Sequence, residues 1–331
     1  MKLRVFVAIK PALRFENVND EFLKRLKDRV QLVLLETDAS SDEEINAELS
    51  RADVLITGWG SPKITAEMIE AATSLKLVIH AQGSVKSLPY EAILRRGIPF
   101  VNSAHAYART MVDSTIGMML SLGYHAAYSH NRFTHHQDAS FDRHQVLGIG
   151  LDGKNVGIVG IGPVGSQVAL ALQAFHTNVF AYDPYSDGQE SVTMVPTLDK
   201  LFDVCQIVTI HCGWTKETEG MVIESHLLRL TPDGMLVNNA RMPIVDEDAL
   251  CRLVKEQKIH AALNLIPLRK DLWLDASLAD LPNLLLTNGS ANVSDTWYSQ
   301  VSRNVTEQLI NFLEEREVYP KLTLERIRTA T

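Results

Sequence analysis

The sequence predicts an α/β protein built from two doubly wound parallel-sheet domains, and three observations carry the prediction. Short apolar runs alternate with polar, helix-like stretches through the first hundred residues, the pattern of a parallel sheet covered on both faces. Near the middle, an apolar run breaks into glycines at G-x-G-x-x-G spacing, passes through a helix-like segment and ends a second apolar run on an acid. The chain has 331 residues, 46% of them hydrophobic, with no repeat period and no low-complexity tract, which suits two cores better than one.

In the first hundred residues the predicted strands are Leu3–Ile9, Val30–Leu35, Val54–Thr57, Leu77–His80 and Phe100–Asn102. Between them, Asp20–Asp28, Asp42–Ser50, Thr65–Ala72 and Tyr90–Arg96 read as helices. Ligands of such sheets sit beyond the C-terminal strand ends. After the fourth run that place is taken by His80-Ala81-Gln82-Gly83-Ser84-Val85, where successive N–H groups near Gly83 and Ser84 suit a small anion such as a carboxylate. A plain turn explains the same residues.

Val112 to Tyr128, rich in Met, Leu and Ala, is expected to form one long helix that carries the chain into the second domain or packs against another subunit. His125, His130, His135, His136 and His144 come next. Their spacing fits no helical ligand face, so a solvated loop is expected there rather than a metal site.

The stretch from Val156 to Asp183 organises the rest. It opens with VGIVGIGPVG, in which Gly160 permits a tight strand-to-helix turn, Gly162 lets the backbone approach a pyrophosphate, and Gly165 lets the helix pack on the strand. Pro163 and Val164 begin a helix whose free N–H groups and partial positive charge face the phosphates. The run VFAYD then closes on Asp183, placed to accept hydrogen bonds from an adenosine ribose diol. Its carboxylate repels a 2′-phosphate, and Pro184 and Tyr185 follow where an NADP site would often carry arginine. NAD is the expected cofactor.

Further strands are expected at Gln206–His211, Met235–Asn239, His260–Leu265 and Leu284–Thr287. Asp246–Glu256 reads as a helix with Ala249, Leu250, Leu253 and Val254 on one face, and Ser294 to Arg316 as a closing helix with Ser294 its N-cap. The first domain is expected to comprise residues 1–103 and 296–331, with residues 104–295 inserted as the second. A net charge of −8 without a clustered basic surface excludes a nucleic-acid footprint. Cys205, Cys212 and Cys251 show neither metal-ligand nor disulfide spacing. The N-terminal apolar run is broken by Lys10 before it reaches signal-peptide length, and no stretch is long enough to span a membrane. A cytoplasmic protein is expected.

Over nearly its whole length the chain resembles the D-isomer-specific 2-hydroxyacid dehydrogenases. The carriers are VGIVGIGPVG, the acid of VFAYD, IHCGWTKET at Ile210–Thr218 and LVNNARMPIVDEDAL at Leu236–Leu250. The last is the most specific, because the family places its catalytic arginine in that setting, here Arg241. The resemblance implies a flavodoxin-like substrate domain from both chain ends, an inserted Rossmann domain, a cleft at their junction and a homodimer. It implies that His211, Thr218, Asn239, Ala240 and Asn264 line the cofactor, and that the Gly83–Ser84 loop holds the substrate carboxylate. In the family's chemistry the arginine grips the carboxylate and carbonyl oxygens of a 2-oxo acid. A histidine exchanges the hydroxyl proton as hydride moves, and a glutamate orients that histidine and raises its pKa.

The chain departs from this pattern at both acid/base positions. By direct count Arg269 stands at the glutamate, no glutamate occurs between Glu256 and Glu307, and Gly289 stands at the histidine. Asn264 replaces an aspartate aimed at the nicotinamide carboxamide, and Met242 follows Arg241 where glycine is usual. Arg269 beside Arg241 suggests a more anionic or larger substrate. Two functions compete. One is an NAD-dependent oxidoreductase in which Arg241 holds a small anionic hydroxy or oxo substrate and His105, Tyr107, His211 or Tyr298 supplies the proton. The other is an NAD-binding protein without dehydrogenase turnover, a sensor or partner, or an enzyme that uses NAD in another way. The missing acid/base pair favours the second and the intact Arg241 favours the first.

Overall fold

Each predicted apolar run supplies a strand because its residues alternate between two buried faces. The computed structural model describes the chain except residues 1, 15–16, 107, 139, 141–147, 231–232, 265–267, 291–292 and 331. It divides into two compact units, one formed by Met1–Tyr107 with Val293–Thr329 and the other by Ala108–Asn292.

In the first unit the strands are β1 (Arg4–Val7), β2 (Gln31–Leu34), β3 (Val54–Thr57), β4 (Leu77–His80) and β5 (Phe100–Asn102). They form a parallel sheet in the order β2-β1-β3-β4-β5, the flavodoxin-like arrangement. Phe6, Leu55, Val78 and Phe100 point into one core, whereas Val5, Val7, Val54, Ile56, Leu77 and Ile79 point into the other. That two-sided burial explains why the runs are continuously apolar rather than alternating. The helix Asp42–Ser50 starts at a reciprocal cap, with Ser41 and Glu44 each accepting from the other's backbone N–H. Ser294 caps the helix Asp295–Leu313 by accepting from the Trp297 N–H at 3.2 Å. That helix lays Trp297, Val301, Val305 and Leu309 on the second core.

In the second unit β6 (Asn155–Val159), β7 (Asn178–Tyr182), β8 (Thr193–Met194), β9 (Ile207–Ile210), β10 (Met235–Asn238), β11 (His260–Asn264) and β12 (Leu284–Thr287) form a parallel sheet. Its order is β12-β11-β10-β9-β6-β7-β8, so the chain reverses direction across the sheet between β6 and β9. This is the Rossmann arrangement, with its ligand crevice at the reversal. The sequence reading passes over β8 and the helix Leu198–Val204, which are too short for a periodicity argument.

Val112–Tyr128 is not one helix. A helix spans Ala108–Gly123, and a second, Ala126–His135, begins after His125 in the left-handed region at φ 51°. The carbonyl of Gly123 accepts from the Ile149 N–H at 2.7 Å, and a Cβ on Gly123 would stand 2.4 Å from the Ile149 oxygen. That crossing ends the first helix. His130 and His135 therefore belong to a helix rather than a loop, His125 is buried, and His144 lies outside the described residues. Among the described residues no helix is long and apolar enough to cross a membrane.

Candidate functional site

The turn that leaves β6 is shaped by three glycines with three different constraints. Gly160 has φ +94°, and a Cβ there would lie 2.7 Å from the Cys212 nitrogen on the neighbouring loop after β9. Gly165 sits in the first turn of the helix Pro163–Gln173, where a Cβ would meet the Gly160 oxygen at 2.0 Å. Gly162, the N-cap of that helix, has no protein atom within 4 Å of an added Cβ. The open face above Gly162 is thus bounded by a helix N-terminus that begins on Pro163 and carries no side-chain cap. Val164 is the next residue of that turn and packs beneath it against the second unit's core.

Asp183 follows β7 and is locked in place before any ligand arrives. One carboxylate oxygen accepts from the Ile161 N–H at 2.8 Å and the other from the Tyr185 N–H at 2.9 Å. A carboxylate accepts about four hydrogen bonds, so each oxygen keeps a lone pair for a ribose hydroxyl. Burial, with the Asp183 charge adding to it, pushes the Cys212 thiol up to about 12, which makes it an inert wall of the crevice. Thr218 organises the loop after β9: its hydroxyl donates to the Gly213 carbonyl at 2.6 Å and accepts from the Thr215 N–H at 2.8 Å. An open glycine cradle, an uncapped helix N-terminus and a fixed acid beyond the second strand fit a dinucleotide.

Arg241 stands on the loop leaving β10, and Asn238 shapes that loop. The Asn238 amide donates to the Arg241 carbonyl at 3.0 Å and its oxygen accepts from the Ala240 N–H at 3.0 Å. The exposed guanidinium donates to the Ala240 carbonyl at 2.7 Å and has no carboxylate partner among the described residues. A buried polar chain backs it. The Asn239 amide donates to the hydroxyls of Ser114 (2.7 Å) and Thr115 (3.1 Å), both of which donate to the Met111 carbonyl. The Asn239 oxygen accepts from the Asn264 amide at 2.8 Å, and the Asn264 oxygen accepts from the Thr287 hydroxyl at 2.6 Å. Ser114, Thr115 and Thr287 carry no local signal of this role in the sequence, and the doublet Asn238-Asn239 is the one sign of it.

Arg269 does not offer spare charge beside Arg241. Its guanidinium is held by Asp248 at 2.9 Å and Asp271 at 2.8 Å, which raise its pKa, and its N–H donates to Glu247. Gly289, two residues past β12, has φ +85° with nothing within 4 Å of an added Cβ, so its backbone favours glycine even though there is room for a side chain. The alternative proton donors are placed as follows. The His211 Nε2 shares a hydrogen bond with the Thr209 hydroxyl at 2.9 Å, and burial of the ring lowers its pKa to about 4. Tyr298 packs edge-on against Trp297 with ring centroids 5.0 Å apart. His105 is exposed, and Tyr107 lies outside the described residues.

In the first unit, the loop after β4 is braced from below. The Asn102 amide donates to the Gly83 carbonyl at 2.5 Å, and the Gln82 amide donates to Asn17 at 2.8 Å. The Thr57 hydroxyl and His80 Nδ1 are 2.9 Å apart, and burial lowers the His80 pKa to about 4. Gly83 is buried, and Ser84 is partly exposed at the C-terminal sheet edge.

Comparison with known proteins identifies the family. Residues 116–288 match the model of the D-isomer specific 2-hydroxyacid dehydrogenase NAD binding domain. The D-3-phosphoglycerate dehydrogenase of Methanocaldococcus jannaschii is 31% identical over 74% of this chain and 46% of its own length. The chain spans about half the length of the phosphoglycerate dehydrogenases it matches. A glyoxylate reductase of Korarchaeum cryptofilum is 26% identical over 99% of this chain and 97% of its own. The D-mandelate dehydrogenase of Rhodotorula graminis superposes with a TM-score of 0.84 at 20% identity, covering 98% of each chain, a likeness of fold. Since the matched segment holds the glycine turn, Asp183 and Arg241 and exceeds half of the sequence, the chain belongs to the D-isomer-specific 2-hydroxyacid dehydrogenase family.

Proposed function

We propose that this chain is an NAD-dependent oxidoreductase acting on a small anionic hydroxy or oxo substrate whose oxygens are held by Arg241. The observation that carries the reading is the state of Arg241. Arg229, Arg252 and Arg269 in the same unit each pair with two carboxylates, whereas the Arg241 fork, on a loop shaped by Asn238, meets the Ala240 carbonyl and no carboxylate among the described residues. A planar fork of donors suits a carboxylate or a developing alkoxide. Bound NAD supplies hydride exchange. Asn239 and Asn264, joined to one another and to Ser114, Thr115 and Thr287, form a fixed wall beside its nicotinamide, and Asp183 accepts from the ribose diol and disfavours a 2′-phosphate. The first unit is the substrate domain, with the Gly83 and Ser84 N–H groups for the substrate carboxylate, and the second is the cofactor domain. The three free cysteines suit a cytoplasmic location, and exposed Tyr124 and Phe133 suit a homodimer formed through the Ala108–His135 region. Light scattering that finds monomer alone at micromolar concentration would remove the dimer.

The test follows NADH absorbance with a panel of 2-oxo acids. Arg241→Ala is expected to abolish turnover while calorimetric NAD binding stays within about threefold, and Arg241→Lys to restore little, because an ammonium lacks the fork. Turnover indifferent to Arg241→Ala overturns the assignment. The second reading, an NAD-binding protein without turnover, is favoured by Gly289 and by the paired Arg269. NAD binding with no oxidation of NADH by any acid in the panel establishes it.

A further inference from the structure

The Gly83 and Ser84 N–H groups are aimed from behind by two buried residues at the end of β5, Asn102 and Ser103. A trans peptide points its carbonyl and the following N–H in opposite directions. The Gln82 carbonyl accepts from the Ser103 N–H at 3.1 Å, which turns the Gly83 N–H away from β5. The Gly83 carbonyl accepts from the Asn102 amide, which turns the Ser84 N–H away in the same manner. Among the described residues neither N–H meets a protein acceptor, so both are open to a ligand.

Ser103 is itself held from a distant part of the chain. Asn304, on the helix Asp295–Leu313, donates its amide to the Ser103 hydroxyl oxygen at 2.9 Å. An oxygen that accepts from Asn304 keeps its own hydrogen to donate, and its acceptor is the His80 carbonyl at 3.5 Å, where the same loop begins. One helical turn beyond Asn304, the buried Gln308 donates to the Asn304 oxygen at 3.4 Å. Gln308 also pairs with a backbone as a strand would: its amide donates to the Tyr319 carbonyl at 2.6 Å and its oxygen accepts from the Tyr319 N–H at 3.0 Å. The segment that follows lies along the edge strand β5, with the Leu322 N–H donating to the Phe100 carbonyl at 2.7 Å and Lys321 opposite Val101. Hydrogen bonds thus run from Gln308 to Asn304, from Asn304 to Ser103, and from Ser103 to two carbonyls of the loop after β4.

Resting on the oxidoreductase reading, we propose that Asn304 is a positioning residue for the substrate. It touches no substrate atom; by fixing Ser103 it holds the Gln82-Gly83-Ser84 loop with its N–H groups turned toward the substrate carboxylate. An apolar side chain of the same size would seal this part of the helix against the end of β5, but it could not direct a hydroxyl. Two backbone donors that must meet one carboxylate lose affinity when their peptides are free to turn, because the ligand then has to order them. The cofactor turn stands on the second unit's sheet, so the effect of Asn304 falls on the acid and not on NAD.

The experiment measures binding, so it does not depend on turnover. Full-length protein saturated with oxidised NAD is titrated calorimetrically with glyoxylate, pyruvate and phenylpyruvate, none of which can be reduced in that state. The acid that binds most tightly is then titrated into the variants. Asn304→Ala is expected to weaken it by about three- to tenfold, while NAD affinity changes less than about twofold. Ser103→Ala should cause a similar loss, and the double variant should be no weaker than either single one, because Asn304 acts through Ser103. Where turnover is measurable, KM for the acid should rise with kcat changed less than about twofold. Acid affinity indifferent to Asn304→Ala, equal losses of acid and NAD affinity, additive losses in the double variant, or no binding of any acid overturns the proposal. If Asn304→Ala does not fold, Asn304→Leu, which fills the space without a donor, decides in the same way. Affinity that depends on Asn304 without NADH oxidation removes the redox reading and leaves Asn304 in its role. NADH oxidation by an acid whose affinity ignores Asn304 does the reverse.

Discussion

Gly162 and Gly165 stand three residues apart on one turn and are glycines for opposite reasons. At Gly165 the space is filled by the Gly160 carbonyl, 2.0 Å from where a Cβ would be. At Gly162 the space is empty and the backbone, with φ −81°, tolerates any residue. Gly165→Ala is therefore expected to destabilise the second unit by about 2–4 kcal/mol, read as a lower melting temperature. Gly162→Ala should melt like the wild type while weakening NAD binding by roughly tenfold or more, because the methyl group occupies the pyrophosphate's approach. Loss of affinity at Gly165 alone, with Gly162→Ala silent, would contradict the cofactor placement. The two arginines make a similar contrast. The sequence marks both as substrate contacts, but Asp248 and Asp271 engage Arg269 whereas Arg241 has no such partners among the described residues.

At the scale of elements, the ends of β10, β11 and β12 and the helix Ala108–Gly123 are joined by one directional chain of hydrogen bonds. Thr287 donates to Asn264, Asn264 to Asn239, and Asn239 to Ser114 and Thr115. An aspartate at position 264, which the family resemblance would lead one to expect, would set a carboxylate oxygen against the Asn239 oxygen in a buried place. Reversing the Asn239 amide would then turn its oxygen toward hydroxyls that already donate to Met111. Asn264→Asp is expected to cost about 1–3 kcal/mol of stability, with partial recovery on adding Thr115→Val, which removes one of the donors to Met111. A neutral Asn264→Asp in thermal melts would show that the chain is not directional. The departure from aspartate is thus a local solution in which two neighbouring asparagines satisfy one another.

For the whole molecule, three histidines whose pKa is lowered by loss of solvent, His80 and His260 buried and His211 partly so, contribute to the response to acid. Burial lowers His80 in the first unit, and His211 and His260 in the second, from 6.5 to about 4. Between those pH values the unfolded chain takes up protons that the folded chain refuses. Stability is therefore complete above about pH 7 and falls as the pH drops from 6.5 towards 4, with a contribution on the order of 3 kcal/mol per histidine. Melting temperatures recorded from pH 8 to pH 4 should be level at the upper end and decline below 6.5; a curve flat down to pH 5 would refute it. His260 also shows how far a sequence can be read. Its run of apolar neighbours predicts the strand, but only the packed structure shows that its ring is buried 5.9 Å from that of His125. The sequence by itself determined every strand but β8, the glycine turn, the acid that closes β7 at Asp183, the cap at Ser294 and the position of Arg241 in the loop after β10. These depend on periodicity, backbone sterics and residue type within a few positions, and so are written locally. Tertiary structure alone decided the break after Gly123, the pairing of Arg269, the direction of the asparagine chain and the bond from Asn304 to Ser103. Each of these depends on atoms brought together from distant parts of the chain, and no local pattern encodes which partner a side chain will meet.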